Sequence, residues 1–208
     1  MVHQKPVFHN QLVKNFIMLS GLVLGGWFLY FSFVPPAYVA QNAIVNNTEK
    51  ELATTNGVMG EEGIFQGNGF RIKPPSGWGV GNAAAMKVTA LFINPAEDKT
   101  KTNVFHSNIN VVAESTTLTL DDYVALNKGT LQKSVKKYSS TEFQKTTVGG
   151  RAGYMIGGIF AQDGEQLRNR QLIIVESGMA YIITGTSLDS AWSKYVKQIN
   201  AALTSFDL

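Results

Sequence analysis

The chain contains no cysteine, and this absence removes several classes of protein from consideration. Without thiols, the 208 residues cannot form disulfides, a cysteine zinc site, an iron–sulfur cluster or a cysteine nucleophile. An N-terminal lipid-modified cysteine is excluded too, so any membrane attachment must come from the polypeptide. Charged residues are scarce, at 16%, and the net charge of +3 does not predict nucleic-acid binding, which uses a concentrated basic surface.

One stretch near the start carries no charge at all. Between Lys14 and Glu49 there are 34 uncharged residues, and Phe16–Val34 within them is an apolar run that only two serines interrupt. As a helix this run spans about 28 Å, close to the hydrocarbon thickness of a bilayer. We therefore predict a transmembrane helix over residues 16–36, in contact with the lipid bilayer through Phe16–Val34. Its length exceeds that of a signal-peptide core, which favours an uncleaved anchor.

The residues that flank this run predict its orientation. Lys5 and Lys14 precede it, and the first 48 residues contain no acidic side chain. Lysine bias places residues 1–15 in the cytoplasm and the C-terminal part outside, in a periplasm, on a cell surface or in a lumen. Gly21 and Gly25 form a small-residue pair through which two anchors could associate, although glycine is common in membrane helices. Residues 37–63 are mixed in character and predict a linker or stalk.

Residues 64–208 have the pattern of an α+β domain. Four apolar runs are separated by dipeptides typical of tight hairpin turns, and this pattern predicts an antiparallel meander. The dipeptides are Gly149-Gly150, Asp163-Gly164 and Ser177-Gly178. Thr119 and the acidic Asp122 three places later are typical of a helix start, and a second helical stripe begins near Asp189. We expect an antiparallel β-sheet flanked by α-helices.

Several segments, in order, resemble the PsbP-like superfamily, which includes PsbP, DcrB and Mog-type domains. Phe70 to Trp78 resembles its opening F-x-I-x-x-P-x-G-W motif, and the other similar segments are Phe92–Pro95, Leu120–Tyr123, Val148–Tyr154 and Tyr181–Thr186. The resemblance implies an αβα sandwich over residues 64–208. It also implies a non-catalytic accessory domain that attaches to a larger complex. The transmembrane anchor departs from plant PsbP and from the lipoprotein members.

Three sets of polar side chains are candidates for an interaction surface. His106, Asn108 and Asn110 alternate along a strand predicted over residues 104–112, which indicates one solvated polar face. The other candidates are Arg168 and Arg170, which share a strand face, and Lys133 and Lys137, on a basic stripe of the first helix. No catalytic, metal or cofactor-binding motif accompanies these residues, and His106 lacks a partner in sequence for nucleophilic catalysis.

These observations predict a non-catalytic, membrane-anchored, extracytoplasmic interaction module that docks on a membrane protein complex or helps to assemble it. One alternative is a small-ligand or lipid-binding envelope protein, with an apolar pocket lined by Phe70, Trp78, Phe92 or Phe105. Another is an extrinsic photosystem II subunit of the PsbP type. A hydrolase centred on His106 is the least favoured reading.

Overall fold

The computed structural model describes residues 57–100, 104–135 and 137–208. The predicted transmembrane helix over residues 16–36, its cytoplasmic flank and most of the predicted stalk lie outside these residues. Within the three described ranges, none of the helices has both the length and the apolar character needed to cross a bilayer.

Over the described residues the chain forms short N-terminal strands and then longer strands that flank and follow a helix. The strands are β1 (Gly57–Met59), β2 (Phe65–Gly67), β3 (Phe70–Ile72), β4 (Gly79–Val80), β5 (Ala90–Ile93), β6 (Asp98–Lys99), β7 (Val104–Phe105), β8 (Asn108–Ser115), β9 (Ser139–Val148), β10 (Arg151–Gln162), β11 (Glu165–Glu176) and β12 (Met179–Leu188). The helices are α1 (Leu120–Ser134) and α2 (Trp192–Thr204), the second preceded by a 3-10 turn over Asp189–Ala191.

Seven of these strands form the main sheet, in the order β4-β5-β8-β12-β11-β10-β9, with every neighbouring pair antiparallel. The predicted meander is confirmed as β9 to β12. Its turns have positive φ at both central residues, for example 50° at Asp163 and 85° at Gly164. These angles match the right-handed twist of the flanking strands, which explains why such dipeptides occur there.

The strand predicted over residues 104–112 is in fact two strands in different sheets. β7 pairs with β6 in a small two-stranded sheet, whereas β8 belongs to the main sheet. The break falls at His106 and Ser107, where contacts with Asn94 hold the backbone. Nδ1 of His106 donates to the Asn94 carbonyl at 2.9 Å, and the Asn94 amide donates to the Ser107 carbonyl at 2.9 Å.

The two helices cover opposite faces of the main sheet. Ile182 and Ile183 are neighbours on β12 and therefore point to opposite faces. Ile182 packs with Val124 of α1, whereas Ile183 belongs to the cluster that contains Ile199 of α2. The α+β class and the sandwich arrangement expected from the sequence are both present. The predicted cap is confirmed as well, since Oγ1 of Thr119 accepts from the Asp122 amide at 3.2 Å.

Helix α1 is shorter than its lysine pattern predicted. It ends at Ser134, and Val135 has extended backbone angles, with φ of −103° and ψ of 120°. Lys137 follows with a φ of 55°, which a helix cannot contain. Lys137 therefore does not belong to the basic stripe of this helix.

The aromatic side chains proposed to line a pocket are packed in the core instead. Phe70, Trp78 and Phe92 belong to the cluster beneath α2, and Phe105 belongs to a separate cluster with Leu131 of α1. Phe92 is fully buried. None of the four rings is more than 8% exposed, so none of them lines an open pocket in the described residues.

Candidate functional site

A groove lies on the α2 side of the main sheet, where β9, β10 and β11 pass the first turn of α2. It has a volume of about 380 Å³. We call it the arginine groove, and it is lined by Thr141, Glu142, Gly157, Arg168, Asn169, Arg170, Trp192 and Val196. Both arginines predicted from the sequence, Arg168 and Arg170, lie in its lining.

Glycines on both neighbouring strands make room for the inner arginine. In the sheet register, Arg170 of β11 lies between Gly157 of β10 and Gly185 of β12. A Cβ atom at Gly185 would lie 2.3 Å from Cγ2 of Ile199, so a side chain there would push α2 away. The absence of a side chain at Gly185 therefore allows α2 to approach the sheet and form one wall of the groove, and its absence at Gly157 avoids a close contact with Thr141 of β9.

Arg170 is tied to both walls of the groove. Its Nη1 donates to Oδ1 of Asn200 on α2 at 2.6 Å, and its Nη2 donates to Oε1 of Glu142 on β9 at 2.5 Å. The side chains of Arg170 and Glu142 are both largely buried. This geometry assigns Arg170 a positioning role, because its charge is already balanced and its donors hold the two walls together.

Arg168 is held at the other end of the groove but keeps donors free. Its Nε donates to Oδ1 of Asp189 at 2.7 Å, and its guanidinium carbon lies 5.9 Å from the centre of the Trp192 ring. Within the described part of the chain, its Nη nitrogens donate no hydrogen bond. Arg168 and the half-buried Trp192 thus lie side by side, and these two residue types are enriched where protein partners bind most strongly.

The charges of the groove are balanced. Asp189 faces Arg168 and Glu142 faces Arg170, each within 2.7 Å. A free anion would therefore gain little from the groove as a whole. A group that combines an acceptor oxygen with apolar surface fits better, because it can meet the Nη donors of Arg168 and the ring of Trp192 together.

The polar face predicted around His106 is not solvated. His106, Asn108 and Asn110 are only 2%, 0% and 2% exposed. Asn108 and Asn110 lie on the sheet face that α1 covers, and Nδ2 of Asn108 donates to the His106 carbonyl at 3.2 Å. These three residues cannot form an interaction surface on the folded domain, so this part of the prediction is wrong.

The predicted lysines are exposed but lie away from the arginines. Lys133 is in the last turn of α1, on the sheet face opposite the arginine groove. Lys137 follows the end of that helix. The structure therefore brings the two predicted arginines together but places the predicted lysines away from them. Glu142 and Asp189 could not be predicted as site residues from the sequence, because neither lies in a recognisable motif with its arginine partner.

Within the described residues, no group of side chains could hold a metal ion, and two tyrosines have raised pKa values. Among residues 57–100, 104–135 and 137–208, no three His, Cys, Asp or Glu side chains are grouped to hold a metal ion. Burial raises the pKa of Tyr138 to about 12, and burial together with a hydrogen bond to Glu114 raises the pKa of Tyr123 as well. Both hydroxyls therefore stay protonated at neutral pH.

No family model matches the sequence, and no curated protein matches it. Among solved structures, LpqN, described as involved in cell envelope biogenesis of Mycobacterium tuberculosis, is 11% identical with a TM-score of 0.52, over 66% of this chain and 81% of LpqN. PA94 of Pseudomonas aeruginosa, a protein of unknown function, is 16% identical with a TM-score of 0.50, over 55% and 78%. Cyanobacterial PsbP from Synechocystis is 10% identical with a TM-score of 0.42, over 77% and 96%. The similarity to LpqN and PA94 shows a shared fold.

Proposed function

We propose that this chain is a membrane-anchored, extracytoplasmic accessory module that docks on a membrane protein complex and has no catalytic activity of its own. The observation that carries the proposal is the arginine groove, in which Arg168 presents free donors beside the half-buried ring of Trp192. Arginine and tryptophan in one concave site are typical of residues that contribute most to protein binding.

The balanced charges of the groove define its partner. The segment that binds would carry a neutral acceptor oxygen, such as an amide carbonyl, next to an apolar side chain. That oxygen would accept from the Nη nitrogens of Arg168, and the apolar side chain would pack on Trp192 and Val196. Arg170, held by Glu142 and Asn200, keeps the groove open in the absence of the partner.

The hydrophobic segment Phe16–Val34 supports a tether. A domain held near the bilayer meets membrane proteins at a high effective concentration, so a small groove is sufficient for stable docking. Lys5 and Lys14, which precede the segment, favour a domain on the extracytoplasmic side. The described role of LpqN in cell envelope biogenesis agrees with such a location.

Native-size separation of solubilised membranes tests the docking role. Membranes that contain Arg168→Gln or the matched control Lys133→Gln are extracted in mild detergent, and the size of the species that contains the chain is compared with wild type. Both changes remove one positive charge, but Lys133 lies on the opposite face. We expect wild type and Lys133→Gln to migrate in a large complex and Arg168→Gln to migrate largely as the free chain.

A second variant separates docking from folding. Val196→Gln changes the apolar rim of the groove and leaves the ion pair between Arg168 and Asp189 in place. If Arg168→Gln and Val196→Gln both fold and both stay in the complex, the groove is not the docking site.

Protease added to intact cells, or to spheroplasts if an outer barrier is present, tests the location. The domain should be digested without lysis, and survival until lysis would contradict the orientation.

A further inference from the structure

A band of uncharged polar side chains crosses the main sheet on the face that α1 covers. None of its members is more than 2% exposed. We call this set the amide band, and it consists of Asn108, Asn110, Asn127, Asn169, Gln171, Thr184 and Thr186. Such a concentration of polar groups is unusual in the interior of a domain, because each one must find hydrogen-bond partners there.

The sheet register places six of these side chains in two adjacent rows. Thr184 of β12 pairs with Asn110 of β8 on one side and with Gln171 of β11 on the other. The next row, two residues along each strand, contains Asn108, Thr186 and Asn169. Because residues two apart in a strand point to the same face, both rows lie together beneath α1.

Asn127 adds an amide from the helix above these rows. It belongs to the buried stripe of α1, between Val124 and Leu131. Val124 packs with Ile182 at one end of the band, and Leu131 packs with Leu188 at the other. Since Ile182 and Leu188 bracket both rows on β12, Asn127 lies over the polar rows between the two apolar clusters.

Many hydrogen-bonding atoms of the band have no partner. Within the described residues, Oδ1 and Nδ2 of both Asn127 and Asn169 are buried and unbonded, as are Oδ1 of Asn110 and Oε1 of Gln171. Within the band, Nε2 of Gln171 donates to Oγ1 of Thr184 at 3.2 Å. Folded proteins pair nearly all such atoms with protein, water or a ligand, so these amides indicate a binding site.

The chemistry of these atoms selects the ligand. The amide oxygens accept and the amide nitrogens donate, and none of the members of the band carries a charge. An ion would be buried there without a counter-charge, which is strongly unfavourable. A hydroxyl group both donates and accepts and is neutral, so it can satisfy both kinds of atom.

We propose that the amide band binds the hydroxyl groups of small neutral molecules, which are either a small polyol or ordered water. Water and polyols share this chemistry, and buried waters commonly make about three hydrogen bonds to such groups. The side chains of the band point away from the arginine groove, to the other face of the sheet. Asn169 occurs in both sets, but its side chain points to the α1 face because it alternates with Arg168 and Arg170 along β11. This inference is therefore independent of the proposed docking function.

Nuclear magnetic resonance on the full chain, in micelles of a detergent without a sugar headgroup, tests the proposal. The probes are water alone and then meso-erythritol, and the signals are the side-chain amide protons of Asn127 and Asn169. We expect through-space contacts from water to these protons. If added erythritol replaces the water contacts with contacts from its own carbon-bound protons, and the effect saturates, the band binds polyols. If the water contacts persist in the presence of erythritol, the band binds ordered water. Amide protons that contact neither probe would overturn the proposal.

A matched pair of variants links the signal to the band. Asn127→Leu removes one amide from the band, whereas Gln132→Leu makes a comparable change at an exposed position of the same helix. We expect Asn127→Leu to weaken the water or erythritol contacts at Asn169, and Gln132→Leu to leave them unchanged. Equal contacts at Asn169 in both variants would contradict a role for Asn127. The wild-type measurement decides the proposal if Asn127→Leu does not fold.

Discussion

Gly185 lies on β12 directly beneath α2, and replacing it with alanine tests the packing that forms the arginine groove. A Cβ atom at this position would lie 2.3 Å from Cγ2 and 3.2 Å from Cγ1 of Ile199. Ile199 is fully buried, so its side chain cannot turn into solvent. The helix must therefore move away by about 1 Å to restore normal van der Waals contact.

Overpacking of this kind lowers the free energy of unfolding by about 1–3 kcal/mol. For a domain of this size, that corresponds to a fall in Tm of about 3–9 °C. Ile199→Ala alone removes the atoms that clash and leaves a cavity, at a cost of about 2–5 kcal/mol. In the double variant the new methyl group occupies part of that cavity. The double variant should therefore lose less stability than the sum of the two single changes, by about 1–3 kcal/mol.

Urea unfolding of wild type, both single variants and the double variant, followed by circular dichroism, measures these differences. Gly129→Ala is the control, because a Cβ there meets no atom within 4 Å. Since Gly129 lies inside α1, this change should stabilise the chain by about 0.5–1 kcal/mol. Additive effects of Gly185→Ala and Ile199→Ala would show that α2 does not rest on β12 at this point, and would refute the reasoning.

Three further predictions follow from other contacts. Thr119→Ala should lower the free energy of unfolding by about 1 kcal/mol in urea titrations, because it removes the acceptor that caps α1, and no change would contradict that cap. Gly158→Ala should lower the free energy of unfolding, since its Cβ would lie 2.3 Å from the Tyr138 ring. Adding Tyr138→Ala to the same chain should cost less than it does in wild type, and fully additive changes in the free energy of unfolding would argue against this contact. Hydrogen bonds from Arg71 and Arg151 lower the pKa of Asp207 below its ordinary 3.8. The contribution of Asp207 to the free energy of unfolding is therefore complete above pH 3.8 and is lost as the pH falls through the lower pKa of the folded state. In Asp207→Asn, the free energy of unfolding should therefore fall less steeply below pH 3.8 than in wild type. An equal fall in both proteins would contradict the pairing of Asp207 with Arg71 and Arg151.

Local sequence signals predicted the features that depend on local geometry. The turns at Asp163-Gly164 and Ser177-Gly178 follow from positive φ angles that few residues adopt, so four strands and their order could be deduced. The cap at Thr119 depends on residues only three places apart. The end of α1 at Ser134 could not be deduced in this way, because no glycine or proline marks it and the lysine pattern continues past it.

The burial of Asn108 and Asn110 illustrates what such signals leave out. Alternation along β8 shows which side chains share a face, but it does not show which element covers that face. The cover is α1, which packs there through contacts distant in sequence. For the same reason the partners of the arginines were not found: Glu142 lies 28 residues from Arg170, and Asp189 lies 21 residues from Arg168.

Site-specific photo-crosslinking in living cells tests the docking role of the arginine groove most directly. A photoreactive amino acid replaces Thr141, which is exposed at the rim of the groove, or Gln132, which is exposed on the opposite face. The docking proposal predicts that position 141 crosslinks to one defined membrane protein, that Arg168→Gln abolishes this product, and that position 132 does not form it. The same product from both positions, or a product from position 141 that Arg168→Gln leaves unchanged, would contradict it.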